Sequence, residues 1–502
     1  MEKNHSKILH LAFLTLTLSL VGCSAFKSRT PASDRSSILN TIYNEAMQAT
    51  NLVNTNTPEC HVSFDNLFQK VLNIDNIDKY FEANDLKAID EDIQSSFNTR
   101  LAIKESFKHF NRISDEDRSC LSSAQDFFKA LRYVEDYLIE YRTEKDSSTP
   151  SEYVSMKGQF PYLLVNPKFA QEFKSYEDLK SGDAILSRGN AFASAAIARL
   201  AQNDYQFSHL SFVYRDQETK ELFTSEAHIE IGSVVAPIIE HLNQKNSREV
   251  VFRYTDEDIS HRASKAIFER IKKQQAQGKN IEYDFSMNHK DNSKLFCSEV
   301  ISSGFKMAEP TFDYIPKFKS KFSKGMIPFL NKIGIPVNTA NVDSTEVFAP
   351  GDLQFDPNFE LVAEWRNPKK SEESRFKDFI LTKLFEKIEK DGYQFDPTIK
   401  INTEARVFWL LRRFPIVKKF LDKKFSLTMS SSQMELFMTL DKIGDIFYKN
   451  LELRSIDFDQ PMTPKEIYEA IDDFIQKDKE QYIKYKKGLN VDKPLFHLLF
   501  HP

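Results

Sequence analysis

Apolar residues recur at intervals of three and four along the first third of the chain. The spacing begins at Ile38, Ile42 and Ala46 and returns between residues 127 and 138. Such spacing places apolar side chains on one face of a helix, where they can pack against a neighbouring helix. The pattern therefore predicts a helical region over residues 38–150, which ends in a polar, proline-containing break.

Between residues 151 and 368 the pattern changes to short β-type runs separated by helical stretches. The predicted strands are 184–187, 210–214, 222–231, 250–254 and 359–365, and the predicted helices are 191–202, 256–277 and 297–307. Short apolar runs bounded by polar turns are typical of strands. We therefore expect an α+β domain over residues 151–368, with a small antiparallel sheet and flanking helices.

Helical spacing returns over residues 369–502. Phe376, Phe379, Ile380 and Leu384 form one apolar face there, and later stretches repeat the pattern. At roughly 150 residues per domain, a chain of this length has room for about three domain-sized units. The expected fold class is thus α+β, with helical regions on both sides of the sheet-containing part.

The N-terminal segment has the pattern of an export signal. Lys3 and Lys7 precede an apolar run over residues 8–21, which ends just before Cys23. A charged start, a short apolar centre and a small residue before a cleavage point are typical of secretory signals. The run is also shorter than the ~20 apolar residues of a membrane span. We therefore predict a signal peptide over residues 1–22.

The ending Leu-Val-Gly-Cys resembles a bacterial lipobox, which implies cleavage before Cys23 and acylation of its thiol. More than one acyl chain makes a firm membrane anchor, because each buried methylene contributes about 0.8 kcal/mol. Residues 23–37 are polar and are predicted to form a flexible tether. Ser24 favours the outer membrane, by resemblance to sorting in Gram-negative bacteria. The alternative is an ordinary secreted protein with a chance cysteine at this position.

The charge of the chain bears on its binding partners, and its cysteines bear on the redox state of its compartment. The net charge is −5 and basic residues are interspersed with acidic ones, so nucleic acid is not an expected partner. Cys60 and Cys120 both lie in the N-terminal helical region, and export to an oxidising compartment permits a disulfide between them. Two buried thiols are the alternative.

Three residues of the middle region form a candidate thiol-hydrolase site. Cys297 lies at the predicted start of a helix, where the helix dipole favours an anion. His209 leads a predicted strand, and Glu226 lies on the next one. An imidazole beside a thiol lowers its pKa and takes its proton, and a carboxylate can fix the imidazole tautomer. His228, on the same strand face as Glu226, is the rival third member, and a buried structural cysteine is the competing interpretation of Cys297.

These residues stand in an order that resembles a known family. The matching elements are Gly182-Asp183, Ser208-His209, Glu226-Ala227, Tyr283-Asp284-Phe285 and Phe296-Cys297-Ser298-Glu299. The order resembles the circularly permuted papain-like amidases of the YiiX/YaeF type, which are relatives of the NlpC/P60 cell-wall hydrolases and of lecithin retinol acyltransferase. The resemblance covers about residues 178–365. It implies a circularly permuted papain-like core in which the histidine strand precedes the cysteine helix.

The resemblance also implies roles for individual residues. Cys297 would be the nucleophile, His209 the general base and then the acid, and Glu226 the orienting carboxylate. The supporting residues it implies are Asp183, Ser208, Ser298 and Glu299. The chain departs from the family pattern at Phe207, where tyrosine is expected, and in its extensive helical regions.

Together these features predict a lipid-anchored cysteine hydrolase of the bacterial cell envelope that cleaves amide bonds, with cell-wall peptides as substrates and no metal or organic cofactor. A lipid-directed acyltransferase or hydrolase on the same triad is the second hypothesis, with an apolar groove built from the Phe-rich segment 312–329. An inactive binding lipoprotein is the third. A buried Cys297, or one far from His209, would favour that third hypothesis.

Overall fold

The computed structural model describes residues 37–74, 85–110, 114–146, 148, 154–201, 206–244, 246–288, 291, 293–312, 314–412, 414 and 428–502. The predicted signal peptide, Cys23 and all of the predicted tether except Ser37 lie outside these residues. None of the helices in the described ranges combines the length and the hydropathy that a membrane span requires.

The N-terminal region is helical, as the spacing predicts. Its helices are α1 (Ser37–Thr50), α2 (Thr57–Leu72), α3 (Leu86–Ser106) and α4 (Asp115–Lys145). The start of α4 is fixed by a capping box, in which the side chains of Ser114 and Asp117 each accept a hydrogen bond from the other residue's backbone N–H. Cys60 and Cys120 are joined in a disulfide between α2 and α4, which agrees with the predicted pairing.

The middle of the chain forms a seven-stranded, fully antiparallel sheet in the order β1-β9-β6-β2-β3-β4-β5. Its strands are β1 (Leu163–Val165), β2 (Asp183–Gly189), β3 (His209–Arg215), β4 (Leu222–His228), β5 (Gly232–Pro237), β6 (Asn246–Tyr254) and β9 (Phe359–Arg366). The structure is therefore mixed α+β, with helical regions at both ends, as expected. The predicted strand 222–231 is wrong in extent, because the chain turns after His228 and pairs back on itself as β5. Gly232, at φ 76°, supplies the left-handed residue that this tight turn requires.

Both faces of the sheet are covered. One face packs against the large hydrophobic core that includes the terminal helical regions. The other face packs against residues 156–179 and α6 (Ile238–Leu242), through side chains that include Val213, Val251 and Trp365. Strands buried on both faces lose the simple alternation of apolar and polar residues, which explains why the strands read as short continuous apolar runs.

Further helices flank the sheet. They are α5 (Phe192–Ile197), α7 (Glu257–Ala276) and α8 (Glu299–Ala308). The predicted start of α8 at Cys297 is corrected by two residues, because Cys297 and Ser298 form the turn that leads into the helix.

Between α8 and β9 the chain adds the short elements β7 (Ser320–Lys321), α9 (Ile327–Ile333) and β8 (Glu346–Val347). The C-terminal region that follows β9 is helical and includes one short strand pair. Its elements are α10 (Pro368–Asp391), β10 (Gln394–Phe395), α11 (Ile399–Leu411), α12 (Ser431–Ser455), α13 (Pro464–Lys486) and β11 (Phe500–His501). Helix α10 packs on α4, so the two helical regions meet each other as well as the sheet.

Buried ion pairs connect the three regions. Glu364 of β9 accepts hydrogen bonds from Arg100 of α3 at 2.8 Å and from Arg132 of α4 at 2.7 Å. Asp378 of α10 accepts hydrogen bonds from Arg188 of β2 at 2.7 Å. All of these side chains are almost completely buried. A buried charge is tolerated only when it is paired, so this network requires the helices and the sheet to come together.

Candidate functional site

Cys297 lies where the start of α8 meets the start of β3. The residue is 4% exposed, and its sulfur accepts hydrogen bonds from backbone N–H groups that include that of Leu210, the residue after His209. The fold therefore brings together the cysteine turn and the histidine strand, which are far apart in the sequence.

The thiol is held in its neutral form in this arrangement. Burial raises the pKa of Cys297 to about 11, and hydrogen bonds from Ser298 and Leu210 offset only part of that increase. Burial has this effect because a thiolate loses its hydration when it is removed from water. The activated thiolate expected from the sequence is thus not the favoured form while the sulfur stays covered.

His209 and Glu226 are paired. The His209 Nε2–H group donates a hydrogen bond to Glu226 Oε2 over 2.8 Å. His209 is the first residue of β3 and its side chain is 17% exposed, whereas the Glu226 side chain is buried at 1%. Because Nε2 is engaged by the carboxylate, Nδ1 is the ring nitrogen left available for a proton transfer.

Glu226 is surrounded by hydrogen-bond donors on both of its oxygens. Oε2 also lies 3.0 Å from Nε2 of His228, and Oε1 accepts from Thr224 Oγ1 at 2.6 Å and from His241 Nδ1 at 3.1 Å. His228 stacks on His209 with ring centroids 4.8 Å apart. The sequence-based rival to Glu226 is therefore a neighbour in the same cluster, since both histidines contact the same carboxylate oxygen.

His241 was missed by the sequence analysis. It lies on α6, is completely buried, and has Ser187 Oγ 3.2 Å and Glu249 Oε1 3.5 Å from its Nε2. Helix α6 has only five residues, which is too short for an apolar period to emerge. The signal that could have indicated it is a histidine beside Glu240 in a short segment that also contains Ile238, Ile239 and Leu242.

The electrostatics of the cluster favour an ionised carboxylate. Burial alone would raise the pKa of Glu226, but the His241 charge and hydrogen bonds from three histidines hold it well below its usual range. Burial would lower the pKa of His241, but the Glu226 charge and hydrogen bond raise it to about 9. Burial lowers the pKa of His209, and its hydrogen bond to Glu226 compensates only in part. His241 therefore carries the positive charge beside Glu226, and His209 is neutral and able to accept a proton.

A metal ion is a second possible occupant of the cluster. Donor atoms of His209, Glu226 and His241 lie within 4.8 Å of one another. However, the imidazole nitrogens of His209 and His241 lie 2.8 and 3.1 Å from the carboxylate oxygens. These are hydrogen-bond distances, so a proton lies between each pair of atoms. A zinc ion binds nitrogen at about 2.0–2.1 Å, so the carboxylate would have to withdraw to admit one. The expectation that the site needs no metal stays a prediction.

The supporting residues implied by the family resemblance divide into two groups. Ser208, Ser298 and Glu299 are buried beside the site, and Glu299 Oε2 accepts a hydrogen bond from Phe296 N–H at 3.0 Å, which fixes the turn before α8. Asp183 instead pairs with Arg253 through two hydrogen bonds of 2.8 Å, near the end of β2 opposite Ser187. At about 3.3 Å per residue, Asp183 lies roughly 13 Å along the strand from the His209 pairing position, so its role is structural.

C-terminal helices lie next to the site. A small apolar cluster is formed by Ala405 of α11 and by Met429 and Met434, with partly buried side chains packed around it. Those partly buried side chains include Ile229, which follows His228, and Phe285, whose ring lies 5.1 Å from that of Tyr283. Tyr283 in turn is close enough to Cys297 for the thiolate charge to contribute to raising the pKa of its hydroxyl, although burial is the larger cause.

The Phe-rich segment does not provide an open groove at the site. Phe322 and Phe329 are 1% and 3% exposed and belong to the main core. An apolar cavity does exist between the two helical regions, lined by side chains that include Val71, Tyr133 and Phe379, but none of the candidate site residues lines it.

Comparisons with known proteins add little to this geometry. No protein-family model matches the chain, and a search of curated proteins finds no match. Among solved structures, the chain is similar to the crystal structure of metalloprotein yiiX from Escherichia coli O157:H7, a DUF1105 protein. The TM-score is 0.29 at 17% sequence identity, and the match covers 38% of this chain and 98% of that one. A likeness of this size does not place the chain in a family.

Proposed function

We propose that the protein is a cysteine hydrolase of the bacterial cell envelope, with a circularly permuted papain-like (NlpC/P60-type) core and a Cys297–His209–Glu226 triad. The observation that carries the proposal is the 2.8 Å hydrogen bond from His209 to the buried Glu226, formed at the point where β3 meets the Cys297 sulfur. A nucleophile, a base and a group that orients the base are the parts that covalent acyl transfer requires.

The proposed reaction is amide cleavage in cell-wall peptides. His209 Nδ1 takes the Cys297 proton as the sulfur attacks the carbonyl carbon, and the imidazolium then protonates the leaving amine. Water hydrolyses the resulting thioester, with His209 acting as base again. Glu226 stays ionised and holds the His209 Nε2–H group throughout. The predicted lipid anchor at Cys23 would keep this site at the membrane.

One observation favours a different function. Cys297 is 4% exposed, and burial raises its pKa to about 11. A buried thiol of this kind is typical of structural cysteines, so an envelope lipoprotein that binds without catalysis is the second candidate. The lipid-directed acyltransferase on the same triad is not favoured by a specific observation, because the 312–329 phenylalanines noted above are packed.

The test is turnover of cell-wall peptides by the purified chain and by single variants. Cys297→Ser and His209→Ala should each lower kcat/KM by about a thousandfold or more, because triad members act as a unit. Glu226→Gln should lose less, because the amide can still accept the His209 hydrogen bond. Thr219→Ala, in the exposed β3–β4 turn, is the matched control and should keep wild-type activity.

Two results would reject the triad. Full activity of Cys297→Ser on any substrate that the wild type cleaves would exclude the thiol as nucleophile. Absence of turnover by the wild type on peptides, esters and lipids, in folded protein, would favour the binding lipoprotein.

A further inference from the structure

Helix α11 carries two apolar stripes, of which only one is packed. The inner stripe contains Ile401 and Ala405, which are buried where α11 packs on α12. The outer stripe contains Ile399, Val407 and Leu410 and continues to Phe414, just past the helix end. These four side chains are 88%, 45%, 54% and 56% exposed. Within the helix, the spacing of eight and three residues puts Ile399, Val407 and Leu410 on one side of α11, and Phe414 follows three residues after the helix ends.

This outer stripe differs from the other exposed apolar residues of the described chain. Within the described ranges, no other helix, taken together with the three residues that follow it, presents four large apolar side chains that are each more than 40% exposed. Single exposed apolar residues are normal on protein surfaces, whereas an aligned set at helical spacing indicates a contact surface. We call Ile399, Val407, Leu410 and Phe414 the α11 stripe.

The sequence that contains and follows the stripe is basic, although the chain as a whole is acidic. Residues 399–427 contain eight lysines and arginines against two acidic residues, in a chain of net charge −5. In the described part, Lys400 and Arg406 are exposed beside the stripe, and Lys400 lies 3.8 Å from Glu404. Trp409 is half-buried at the edge of the helix, where it packs against the inner cluster of Ala405, Met429 and Met434. A helix with an apolar face, basic flanks and an aromatic side chain is the type that lies in the interface of an anionic membrane.

We propose that the α11 stripe docks on an anionic lipid surface. Its apolar side chains would enter the boundary between headgroups and acyl chains, while Lys400 and Arg406 contact lipid phosphates. The inner side of α11 shares an apolar cluster with Ile229 and Phe285 beside the candidate site, so docking would hold that site close to the membrane. The proposal does not depend on the chemistry of Cys297.

Trp409 provides a direct test, because the chain contains only two tryptophans and Trp365 is buried at 2% exposure. Full-length protein is mixed with vesicles of phosphatidylglycerol and phosphatidylcholine, with and without bromine on the acyl chains. The Trp409 emission is obtained by subtracting the spectrum of Trp409→Phe. We expect brominated lipid to lower that emission about twofold in the anionic vesicles and much less in pure phosphatidylcholine.

The stripe itself is tested by Val407→Glu with Leu410→Glu, which should abolish the quenching while circular dichroism stays unchanged, because both positions are exposed. Leu453→Glu with Ile456→Glu is the matched control: it places the same two charges at 67% and 75% exposed apolar residues at the C-terminal end of α12 and should leave the quenching intact. Three outcomes would overturn the proposal. They are an unquenched Trp409 in anionic vesicles, equal quenching in neutral and anionic vesicles, and quenching that survives the double variant. Concentration-dependent dimers that the double variant dissociates, with Trp409 unquenched, would instead assign the stripe to a second copy of the chain.

Discussion

Asp92 is a carboxylate that the fold buries without a charged partner. It lies on α3 at 3% exposure, and its Oδ2 atom makes no hydrogen bond within the described residues. Burial, with a smaller contribution from the nearby Glu91 charge, raises its pKa to about 7. The protonated form is therefore the one that the folded state favours, and ionisation of Asp92 costs stability.

The first prediction is that Asp92→Asn stabilises the protein increasingly as the pH rises. The unfolded carboxyl has a pKa near 3.9, so between about pH 4 and pH 7 the folded state holds a proton that the unfolded state has lost. The free energy of unfolding of the wild type then falls with pH, by at most about 1.4 kcal/mol per unit from this group, and the asparagine variant escapes that loss. Urea titrations from pH 4 to pH 8 measure the difference. Asp65→Asn, at an exposed position of α2, is the control, and a difference for Asp92→Asn that shrinks with rising pH would contradict the prediction.

At the scale of elements, the helix that follows Cys297 depends on a close helix–helix contact. Gly304 of α8 faces α7 so closely that a Cβ atom there would lie 2.8 Å from the backbone oxygen of Ala263. Backbone atoms cannot move aside as a flexible side chain can, so any larger residue must push α8 away from α7. Because Cys297 leads into α8, such a shift would also move the thiol relative to β3.

We therefore predict that Gly304→Ala destabilises the protein although alanine is the better helix former. The gain in helix propensity is about 1 kcal/mol, whereas overpacking a close contact costs about 1–3 kcal/mol. The net change should be a loss of about 1 kcal/mol in the free energy of unfolding, accompanied by a lower kcat/KM in any assay that responds to Cys297. Met307→Ala, at a 43% exposed position of the same helix, is the control. A Gly304→Ala variant that is more stable than the wild type would show that α8 can move away from α7 without cost.

The elements themselves were largely predictable, and the exceptions have physical reasons. Strands such as β3 and β6 were recognised because β-branched and aromatic residues are concentrated in them. The strand β1 was missed because three residues are too few to show a periodic pattern. The predicted strand 222–231 was extended past the end of β4 because Ile229 and Ile231 in the following turn are apolar, and β5 itself was not predicted.

At the site, the pairing of His209 with Glu226 followed from placing both on neighbouring strands, and the structure places them 2.8 Å apart. His241 and the burial of Cys297 could not be predicted in this way. The position of His241 and the burial of Cys297 depend on which distant segments of the chain pack over the sheet. The spacing of apolar residues within one segment does not show which other segments it contacts. The catalytic roles of these residues stay a prediction.

At the scale of the whole molecule, Glu364 is the centre of the buried ion network. Its carboxylate on β9 accepts hydrogen bonds from Arg100, Arg132 and Arg366, and all four side chains are at most 1% exposed. The positive charge of these arginines holds the pKa of Glu364 well below its usual range, although burial acts in the opposite direction. Glu364 thus joins the predicted N-terminal helical region to the sheet, together with Glu135 and Asp136 of α4, which pair with Arg366 and Arg248.

The last prediction is that Glu364→Gln destabilises the protein by about 3–5 kcal/mol, the cost of leaving buried charges without their partner. The loss should be shared by the N-terminal helices and the sheet, since the carboxylate contacts both. Urea unfolding, followed by far-ultraviolet circular dichroism and by Trp365 fluorescence in a Trp409→Phe background, should therefore show both transitions at lower denaturant. Glu360→Gln on the same strand is the matched control: its partners Lys108 and Lys168 are at the surface, where an ion pair contributes at most about 1 kcal/mol.

One result would contradict the prediction. If Glu364→Gln lowered the midpoint of the Trp365 transition and left the midpoint of the helical signal unchanged, the helices would be stable without the sheet. The buried ion network would then not couple the unfolding of the helices to that of the sheet.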